Sequence, residues 1–312
     1  MNRLEIQFEQ NTDEWLAWRN TGLGATDAAA VVGASKFGTP LTVFATKKGL
    51  VRATEQTAPI EWGHRIEPVI IDKILEVHED FKDCKRGLLY GDGYKHASLD
   101  AEAIWVHDGI EEPVVIEAKT ARSSDDWAPV PPGYYAQVQW QMGITGYKHA
   151  FFTVLVGGRD WFEVRVDFDP QFYEEMVMIC DKFWYEYYLN DVAPKPTGLH
   201  PDLDREAMSA ISTVTEENSK DTELTEEEVE KYRYLKERAE SAELAFNAFK
   251  SELQYKMQNG GNLVRDGKKV AFYVTRTPTV SVDKDKLKKM FPEAYEACLK
   301  TGVGTRYVSF KI

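Results

Sequence analysis

Cysteine is scarce in this chain of 312 residues, and its three thiols, Cys84, Cys180 and Cys298, lie far apart. An odd number of widely separated cysteines argues against a disulfide framework and predicts a reducing compartment. Cysteine-ligated zinc and iron–sulfur clusters are excluded as well, because their ligands come in closely spaced sets.

Long hydrophobic runs are also missing from the sequence. No apolar stretch reaches the roughly 18 residues that a membrane-spanning helix needs. The first six residues, from Met1 to Ile6, lack the apolar segment of a signal peptide. We therefore expect a cytoplasmic protein that has no membrane partner.

Basic residues are fewer than acidic residues in this chain. The chain carries 38 basic and 51 acidic side chains, a net charge of −13. This balance counts against nucleic-acid binding by bulk electrostatics without excluding it, because affinity for phosphate comes largely from Lys and Arg. Residues 1–200 hold 19 basic and 31 acidic residues (net −12), against 19 and 20 in residues 201–312 (net −1). The excess in the first part is consistent with an acidic cluster that holds metal cations.

The first part of the chain, residues 1–195, alternates helical and strand-like patterns. Apolar spacing predicts helices at 13–20, 28–32, 67–77, 134–144 and 171–189, the second of them capped at Thr26 and Asp27. Short segments rich in β-branched and aromatic residues predict strands at 88–90, 97–105, 114–118, 150–156 and 161–166. A sheet flanked by helices follows, and hence an α/β or α+β layer fold.

A Pro-rich segment at 193–198 ends this pattern, and we interpret residues 196–223 as a linker. A C-terminal extension, 224–312, follows. Thr225 and Glu228 form a capping-box signature, so residues 225–258 are predicted to form one helix of about 50 Å. A hairpin around Asp266 and Gly267, a helix over 284–299 and a last strand over 307–312 complete a small ββαβ region.

Asp100, Glu117 and Lys119 form the most informative pattern. Glu117 and Lys119 end a predicted strand and face the same side of it, and Asp100 lies on the neighbouring strand. Two carboxylates suit Mg²⁺ or Mn²⁺, which polarise a phosphodiester and lower the pKa of a bound water. Lys119 then orients or deprotonates the attacking water, or stabilises the developing charge. The same residues also fit a surface ion pair at a strand end.

Further segments add polar groups to this pattern. Glu67, at the predicted start of a helix, offers a third carboxylate, although the helix dipole alone favours Glu there. Arg19 and Thr26 offer a guanidinium and a hydroxyl beside a helix N-terminus, which suits a phosphate, or equally a structural arginine and a cap. The helix over 134–144 carries three glutamines among aromatic residues, and at least one of them should face a polar site.

In this order, the motifs resemble the YqaJ-type viral recombinases, which are lambda-exonuclease-like members of the PD-(D/E)xK nuclease superfamily. The resemblance covers roughly residues 10–190 and implies that superfamily's core, a central mixed sheet flanked by helices. It rests on Trp15…Arg19 with Gly22-x-Gly24-Ala25-Thr26-Asp27, on Gly63-x-x-x-Glu67-Pro68, on Ser98-x-Asp100, on Glu117-x-Lys119 and on Tyr135-Ala136-Gln137-Val138-Gln139.

The resemblance implies a metal-dependent 5′ to 3′ exonuclease that degrades linear double-stranded DNA to mononucleotides. Asp100, Glu117 and the Ala118 carbonyl would bind Mg²⁺ or Mn²⁺, with Lys119 activating the water and Glu67 assisting.

By the same resemblance, a pocket for the 5′-phosphate would be formed by Arg19, Thr26, Ser98 and Gln137, with Trp15 near the DNA. Thr26 stands where serine is commoner in the family, and the hydroxyl is retained.

The resemblance also implies partners and an origin. The enzyme would be a ring-shaped homotrimer on double-stranded DNA ends, leaving a 3′ single strand for a single-strand-annealing recombinase. It would be phage- or prophage-encoded and act in the host cytoplasm. Two alternatives stay open: an endonuclease of the restriction or repair type, and a non-catalytic module that binds DNA ends.

Overall fold

The computed structural model describes residues 4–6, 12–51, 58–212, 220–258, 261–272 and 283–299. The chain divides into two compact units, Met1–Thr213 and Val214–Ile312. The finer boundaries expected from the sequence, at residues 195 and 224, stay a prediction.

A six-stranded sheet in the order β1-β2-β3-β4-β5-β6 forms the centre of the first unit. β4 and β5 pair in parallel, and the other neighbouring pairs are antiparallel. This mixed sheet confirms the predicted fold class. The strands are β1 (Leu4–Ile6), β2 (Phe81–Asp92), β3 (Lys95–His107), β4 (Ile110–Ala121), β5 (His149–Val156) and β6 (Asp160–Asp167).

Helices cover both faces of the sheet. A 3₁₀ turn (Ser124–Trp127) precedes α5, and a π-helical turn (Phe183–Tyr188) extends α6. The helices of this unit, within the described residues, are α1 (Asp13–Asn20), α2 (Ala25–Val31), α3 (Pro40–Lys47), α4 (Ala58–Val77), α5 (Pro132–Thr145), α6 (Pro170–Lys182) and α7 (Pro201–Ile211).

Strand β4 is buried on both faces, which explains its uninterrupted apolar run. Val115 packs in a cluster with α2, α5 and α6, whereas Val114 and Ile116 pack in a second cluster with α4. Side chains alternate between the two faces of a strand, so a strand between two helical layers needs apolar residues at every position. Each such buried side chain contributes about 1.5–3 kcal/mol. The polar residues at the end of β4 are thereby held on a rigid support.

The start of α2 differs from the prediction. Gly24 is the N-cap, and its backbone N–H donates to the Asp27 carboxylate at 3.0 Å. Thr26 therefore lies inside the first turn rather than at a cap. The prediction missed this because glycine has no capping side chain, whereas Asp27 supplies the oxygen from within the helix.

The start of α4 was also wrongly placed by the sequence pattern. The pattern predicts a helix that begins at Glu67, with Pro68 in its first turn, but α4 begins at Ala58 and both residues lie in its interior. An interior proline removes one backbone hydrogen bond, and burial of Ile70, Ile71 and Ile74 against the sheet offsets that loss. Glu67 thus projects from mid-helix, away from the helix N-terminus.

Part of the predicted linker, 196–223, is a packed helix. α7 contacts α3, where Ala207 clusters with Leu41 and Ala45. The hydroxyl of Thr39, which caps α3, donates to the buried Asp204 carboxylate at 2.6 Å. This part of the chain therefore belongs to the first unit.

In the second unit, α8 (Glu226–Met257) confirms the long predicted helix. The Glu228 N–H donates to the Thr225 hydroxyl at 3.2 Å, and the Thr225 N–H donates to the Glu228 carboxylate at 2.8 Å, as a capping box requires. β7 (Asn262–Arg265) and β8 (Lys268–Phe272) form the hairpin.

The single helix predicted over 284–299 is wrong: the structure has two helices, α9 (Lys284–Met290) and α10 (Pro292–Ala297). The break occurs at Phe291 because a residue that precedes proline avoids the helical region. The strand predicted over 307–312 lies outside the described residues. Among the residues that are described, no helix combines the length and apolar character needed to cross a bilayer.

Candidate active site

A cavity of about 570 Å³ lies at the end of β4, between α1, α2, α4 and α5. It brings together residues from segments far apart in the chain. Of the residues assigned to the site from the sequence, only Glu117 does not line it, because it is buried behind Lys119 and Gln137. The assigned residues on the cavity wall are Trp15, Arg19, Thr26, Glu67, Ser98, Asp100, Ala118, Lys119 and Gln137.

Glu117 is almost fully enclosed, with 1% of its surface exposed. Both of its carboxylate oxygens accept hydrogen bonds. Lys119 and the Gln137 amide donate to Oε1, and the Gln141 amide donates to Oε2 at 2.9 Å. Gln137 and Gln141 are four residues apart and so lie on one face of α5. The carboxylate is thus fixed in one orientation by β4 and α5 together.

Asp100 and Glu67 complete a cluster of three carboxylates. Asp100 accepts a hydrogen bond from the Ala118 N–H at 2.9 Å, which ties β3 to β4. Burial raises the pKa of Asp100 well above its ordinary value, and the nearby Glu117 raises it further. Burial and Glu117 likewise raise the pKa of Glu67. The cluster therefore holds negative charge that its surroundings do not fully neutralise.

Lys119 provides the positive charge of the cluster. Burial alone would lower the pKa of Lys119, but the carboxylates of Glu117 and Asp100 outweigh burial and raise it. Its ammonium also lies 5.3 Å from the centre of the Tyr134 ring, a cation–π distance. Lys119 is therefore an ammonium at neutral pH, and a hydrogen-bond donor rather than a base in this state.

The donor set fits a hard divalent cation. The carboxylates of Glu67, Asp100 and Glu117 lie near the ammonium of Lys119, and carboxylate oxygens are the ligands that Mg²⁺ and Mn²⁺ prefer. A cation here would offset the negative charge that, together with burial, raises the pKa values of Asp100 and Glu67. Asp100, Glu117 and the Ala118 carbonyl are the groups that could hold it.

Arg19 and Thr26 lie together on another part of the cavity wall. The Arg19 guanidinium donates to the Thr26 hydroxyl at 3.4 Å and lies 5.1 Å from the centre of the Trp15 ring. Lys47 fixes this loop by donating to the Arg19 carbonyl at 3.0 Å and pairing with Asp27 at 2.9 Å. The Trp15 indole N–H is buried and has no acceptor among the described residues. This side of the cavity therefore presents donors that suit an anion.

Ser98 and Gln137 are the other two residues assigned to the phosphate pocket from the sequence. Ser98 lines the cavity, and its carbonyl accepts a hydrogen bond from Gln141 at 3.0 Å. Gln137 lines the cavity too, but its amide donates to Glu117. Its observed partner is therefore the carboxylate cluster.

Sequence reasoning missed Gln141 as a site residue. The signal was its spacing of four residues from Gln137, which places both amides on one helix face. Gln139, by contrast, faces away and bonds the backbone of Asp167 and Asp169. His96 and Trp18, stacked at 4.0 Å, also line the cavity. No motif signalled these two aromatic rings.

Among solved structures, the chain is similar to the alkaline exonuclease LHK-Exo of Laribacter hongkongensis. That match has 17% identity and a TM-score of 0.46, and it covers 62% of this chain and 95% of the other. The chain is also similar to a phage-related exonuclease from Haemophilus somnus 129PT. That match has 13% identity and a TM-score of 0.37, and it covers 57% of this chain and 88% of the other.

Sequence comparison gives two further matches. The protein YqaJ of Bacillus subtilis (strain 168), itself uncharacterized, is 26% identical over 309 residues, covering 94% of this chain and 92% of that protein. Residues 14–148 match the family described as the YqaJ-like viral recombinase domain. This segment contains the motifs from Trp15 to Gln139, so the resemblance expected from the sequence is confirmed.

Proposed function

We propose that this protein is a Mg²⁺-dependent exonuclease that degrades linear double-stranded DNA from its 5′ ends. The observation that carries the proposal is one cavity that has Glu67 and Asp100, beside the buried Glu117, on one part of its wall and Arg19 with Thr26 on another. The YqaJ-like domain covers all of these residues. A DNA backbone carries a negatively charged phosphate at every nucleotide, and both parts of the cavity wall would recognise such phosphates.

In the proposed reaction, Asp100, Glu117 and the Ala118 carbonyl would hold the cation. A cation bound there would polarise the scissile phosphate and lower the pKa of a water. Gln137 and Gln141 keep Glu117 oriented. The raised pKa of Lys119 favours a role in orienting the water and stabilising the charge that develops on the phosphate.

Glu67 assists from α4. Burial and the neighbouring Glu117 raise its pKa, so Glu67 takes up a proton more readily than an exposed glutamate does. That property suits a group that exchanges a proton with the attacking water.

The anion site sets the direction of digestion in this proposal. Arg19 grips the terminal 5′-phosphate, since a guanidinium binds a doubly charged phosphate through paired, charge-assisted hydrogen bonds. Thr26 and Ser98 add hydroxyls, and Trp15 lies near the DNA. Gln137 lines the same cavity and donates to Glu117. Each cut creates a new 5′-phosphate, so the group that Arg19 binds is regenerated one nucleotide further along the strand.

The proposal extends to the product, the assembly and the biological setting. Cleavage releases mononucleotides and leaves a 3′ single strand for a single-strand-annealing recombinase. A ring-shaped homotrimer encloses the remaining strand, which offsets the weak electrostatic attraction of a chain with a net charge of −13. A phage or prophage origin, with action in the host cytoplasm, agrees with the viral recombinase family.

Product analysis on linear and closed circular duplex DNA tests the proposed function. With Mg²⁺, the linear duplex should yield mononucleotides and the closed circle should stay intact, while Glu117→Gln should be inactive on both. Cleavage of the circle, or release of long fragments, would indicate an endonuclease. Binding to DNA ends without any nucleotide release would indicate a non-catalytic module.

A further inference from the structure

A second polar cluster lies at the opposite end of β4 from Glu117. His107 is the last residue of β3, Glu112 lies near the start of β4, and His149 is the first residue of β5. Glu112 and Glu117 are five residues apart on one strand, or about 17 Å at roughly 3.4 Å per residue. The cluster is therefore separate from the cavity that holds the candidate active site.

Both histidines are directed at the same carboxylate oxygen. The Nε2 atoms of His107 and His149 each lie 3.4 Å from Glu112 Oε2. One ligand atom from each of the three residues lies within 4.8 Å of the others. Zinc–nitrogen and zinc–oxygen bonds of about 2.0–2.1 Å in a tetrahedron place ligand atoms about 3.3 Å apart. The two separations from Glu112 match that spacing.

The rings are held in this orientation by neighbouring groups. The other nitrogen of His149, Nδ1, lies 2.9 Å from the Asp167 carboxylate on β6. A carboxylate on the outer nitrogen fixes the tautomer and orientation of a metal-binding histidine. His107 stacks on Trp105 with ring centres 3.8 Å apart. Both imidazoles are thus positioned before any ligand binds.

Residues of this type select a particular class of metal. Two imidazoles and one carboxylate suit Zn²⁺ and other divalent transition metals, whereas Mg²⁺ prefers oxygen ligands. The three side chains are 17–24% exposed, so a fourth position is accessible to water. Lys148 pairs with Glu112 Oε1 and leaves Oε2 to the histidines. Because the Lys148 ammonium and a bound cation would both interact with the Glu112 carboxylate, they compete for it.

We propose that His107, Glu112 and His149 bind one Zn²⁺ ion that joins strands β3, β4 and β5 at the end of the sheet remote from the active site. The site takes a transition metal that Mg²⁺ does not displace. It stabilises the strand ends, and its existence does not depend on the proposed nuclease function.

Zinc titration of the full chain, first freed of metal and then competed against a chromogenic chelator, tests this proposal. The wild type should bind one Zn²⁺ per chain, and millimolar Mg²⁺ should not change the affinity. His107→Asn and His149→Asn should each weaken binding by more than 100-fold. Asp167→Asn should weaken it by about 10–100-fold with the same stoichiometry.

Two further variants separate a metal site from an ion-pair network. Lys148→Met should tighten zinc binding by a few-fold, because it removes a competing cation from Glu112. His78→Asn is the matched control: His78 also lies between carboxylates, those of Asp80 and Glu163, but outside the cluster, so its loss should leave zinc affinity unchanged. Circular dichroism should show that every variant is folded.

Cobalt substitution gives an independent spectroscopic reading. Co²⁺ should produce visible absorption bands in the wild type that disappear in His149→Asn. The proposal is overturned if the wild type binds no zinc at micromolar concentration. It is equally overturned if folded His107→Asn and His149→Asn bind zinc as tightly as the wild type.

Discussion

Gln141 donates its side-chain amide to Glu117 Oε2 at 2.9 Å and to the Ser98 carbonyl at 3.0 Å, from a helix packed on the sheet. It thereby links the acidic residue of β4 to the backbone of β3. Gln137 holds the other oxygen of the same carboxylate. The orientation of Glu117 thus depends on two buried amides that do not themselves bind a cation in the proposed mechanism.

Replacing Gln141 by Leu should therefore weaken the response to Mg²⁺ without removing the carboxylates. Groups that orient a metal ligand typically contribute 10–100-fold in affinity or activity. We expect the Mg²⁺ concentration for half-maximal nucleotide release to rise by about that factor. Gln141→Glu should not restore it, because a second carboxylate cannot donate to Glu117 unless it is protonated.

Gln139→Leu is the matched control for this prediction. Gln139 lies on the same helix and is equally buried, but it bonds the backbone of Asp167 and Asp169. The control should lower stability and leave the Mg²⁺ response unchanged. Equal Mg²⁺ responses in the two variants would show that Gln141 acts only in packing.

Asp100→Ala, Glu117→Gln and Lys119→Ala should each abolish cleavage, because in the proposed reaction these groups act as one unit. The double variant of Asp100 and Glu117 should be little worse than either single variant. Nucleotide release from uniformly labelled duplex, with folding checked by circular dichroism, measures this. Full activity in any one of the three would refute the assignment of that residue.

Arg19→Ala should reduce the preference for a 5′-phosphorylated end over a 5′-hydroxyl end, and slow processive digestion more than a single cut. The reason is that the variant lacks the guanidinium that binds the terminal phosphate through charge-assisted hydrogen bonds. Arg65→Ala serves as the control, since Arg65 pairs with Glu61 on the exposed surface of α4. Initial rates on the two kinds of end measure the preference. If Arg19→Ala keeps the preference for the 5′-phosphorylated end, Arg19 has only a structural role.

Gly22→Ala should destabilise the first unit and disturb the anion site. A Cβ at this position would lie 2.3 Å from the Tyr94 carbonyl, where Leu23 pairs with β3. Overpacking of this kind costs roughly 1–3 kcal/mol. Gly63→Ala, inside α4 with no atom within 4 Å of the new Cβ, should instead stabilise by about 0.5–1 kcal/mol. Urea unfolding followed by fluorescence distinguishes them, and equal midpoints would contradict the prediction.

His96 should make the stability of the first unit depend on pH. Burial, and then the charge of Lys47, lowers the pKa of His96 to about 4, against about 6.5 in an unfolded chain. The unfolded state therefore binds the proton more readily, so this contribution to stability is present above pH 6.5 and is lost as the pH falls towards 4.

His96→Gln should flatten the fall in stability between pH 6.5 and 4. All eight tryptophans lie between residues 15 and 184, so their fluorescence during urea unfolding follows the first unit. An identical pH dependence in the wild type and the variant would contradict the assignment.

Local patterns predicted the elements whose signals lie within a few residues. The capping box at Thr225 and Glu228 marked the start of α8, and the apolar run Val114–Ile116 marked the buried strand. Predictions failed where packing overrides local preference. Pro68 suggested a helix start but lies inside α4. The helix α7 within the predicted linker is stabilised by burial of Ala207 and by the hydrogen bond that Asp204 accepts from Thr39.

The two clusters differ in how far sequence could predict them. Asp100, Glu117 and Lys119 could be predicted to lie together because a strand places residues i and i+2 on one side and a family motif connects the segments. His107, Glu112 and His149 come together only through the pairing of β3, β4 and β5, and no motif spans them. Predicting Gln141 as a site residue would have required both the helix phase of α5 and the position of that helix over Glu117.

Digestion of a linear duplex labelled separately at its 5′ and 3′ ends, with Mg²⁺ and with a chelator, tests whether the protein is a metal-dependent 5′ to 3′ exonuclease. We expect early release of the 5′ label as a mononucleotide, retention of the 3′ label in a long strand, and no release of either label with the chelator. Release of the 3′ label first, or release of either label in the presence of the chelator, would contradict the proposed function.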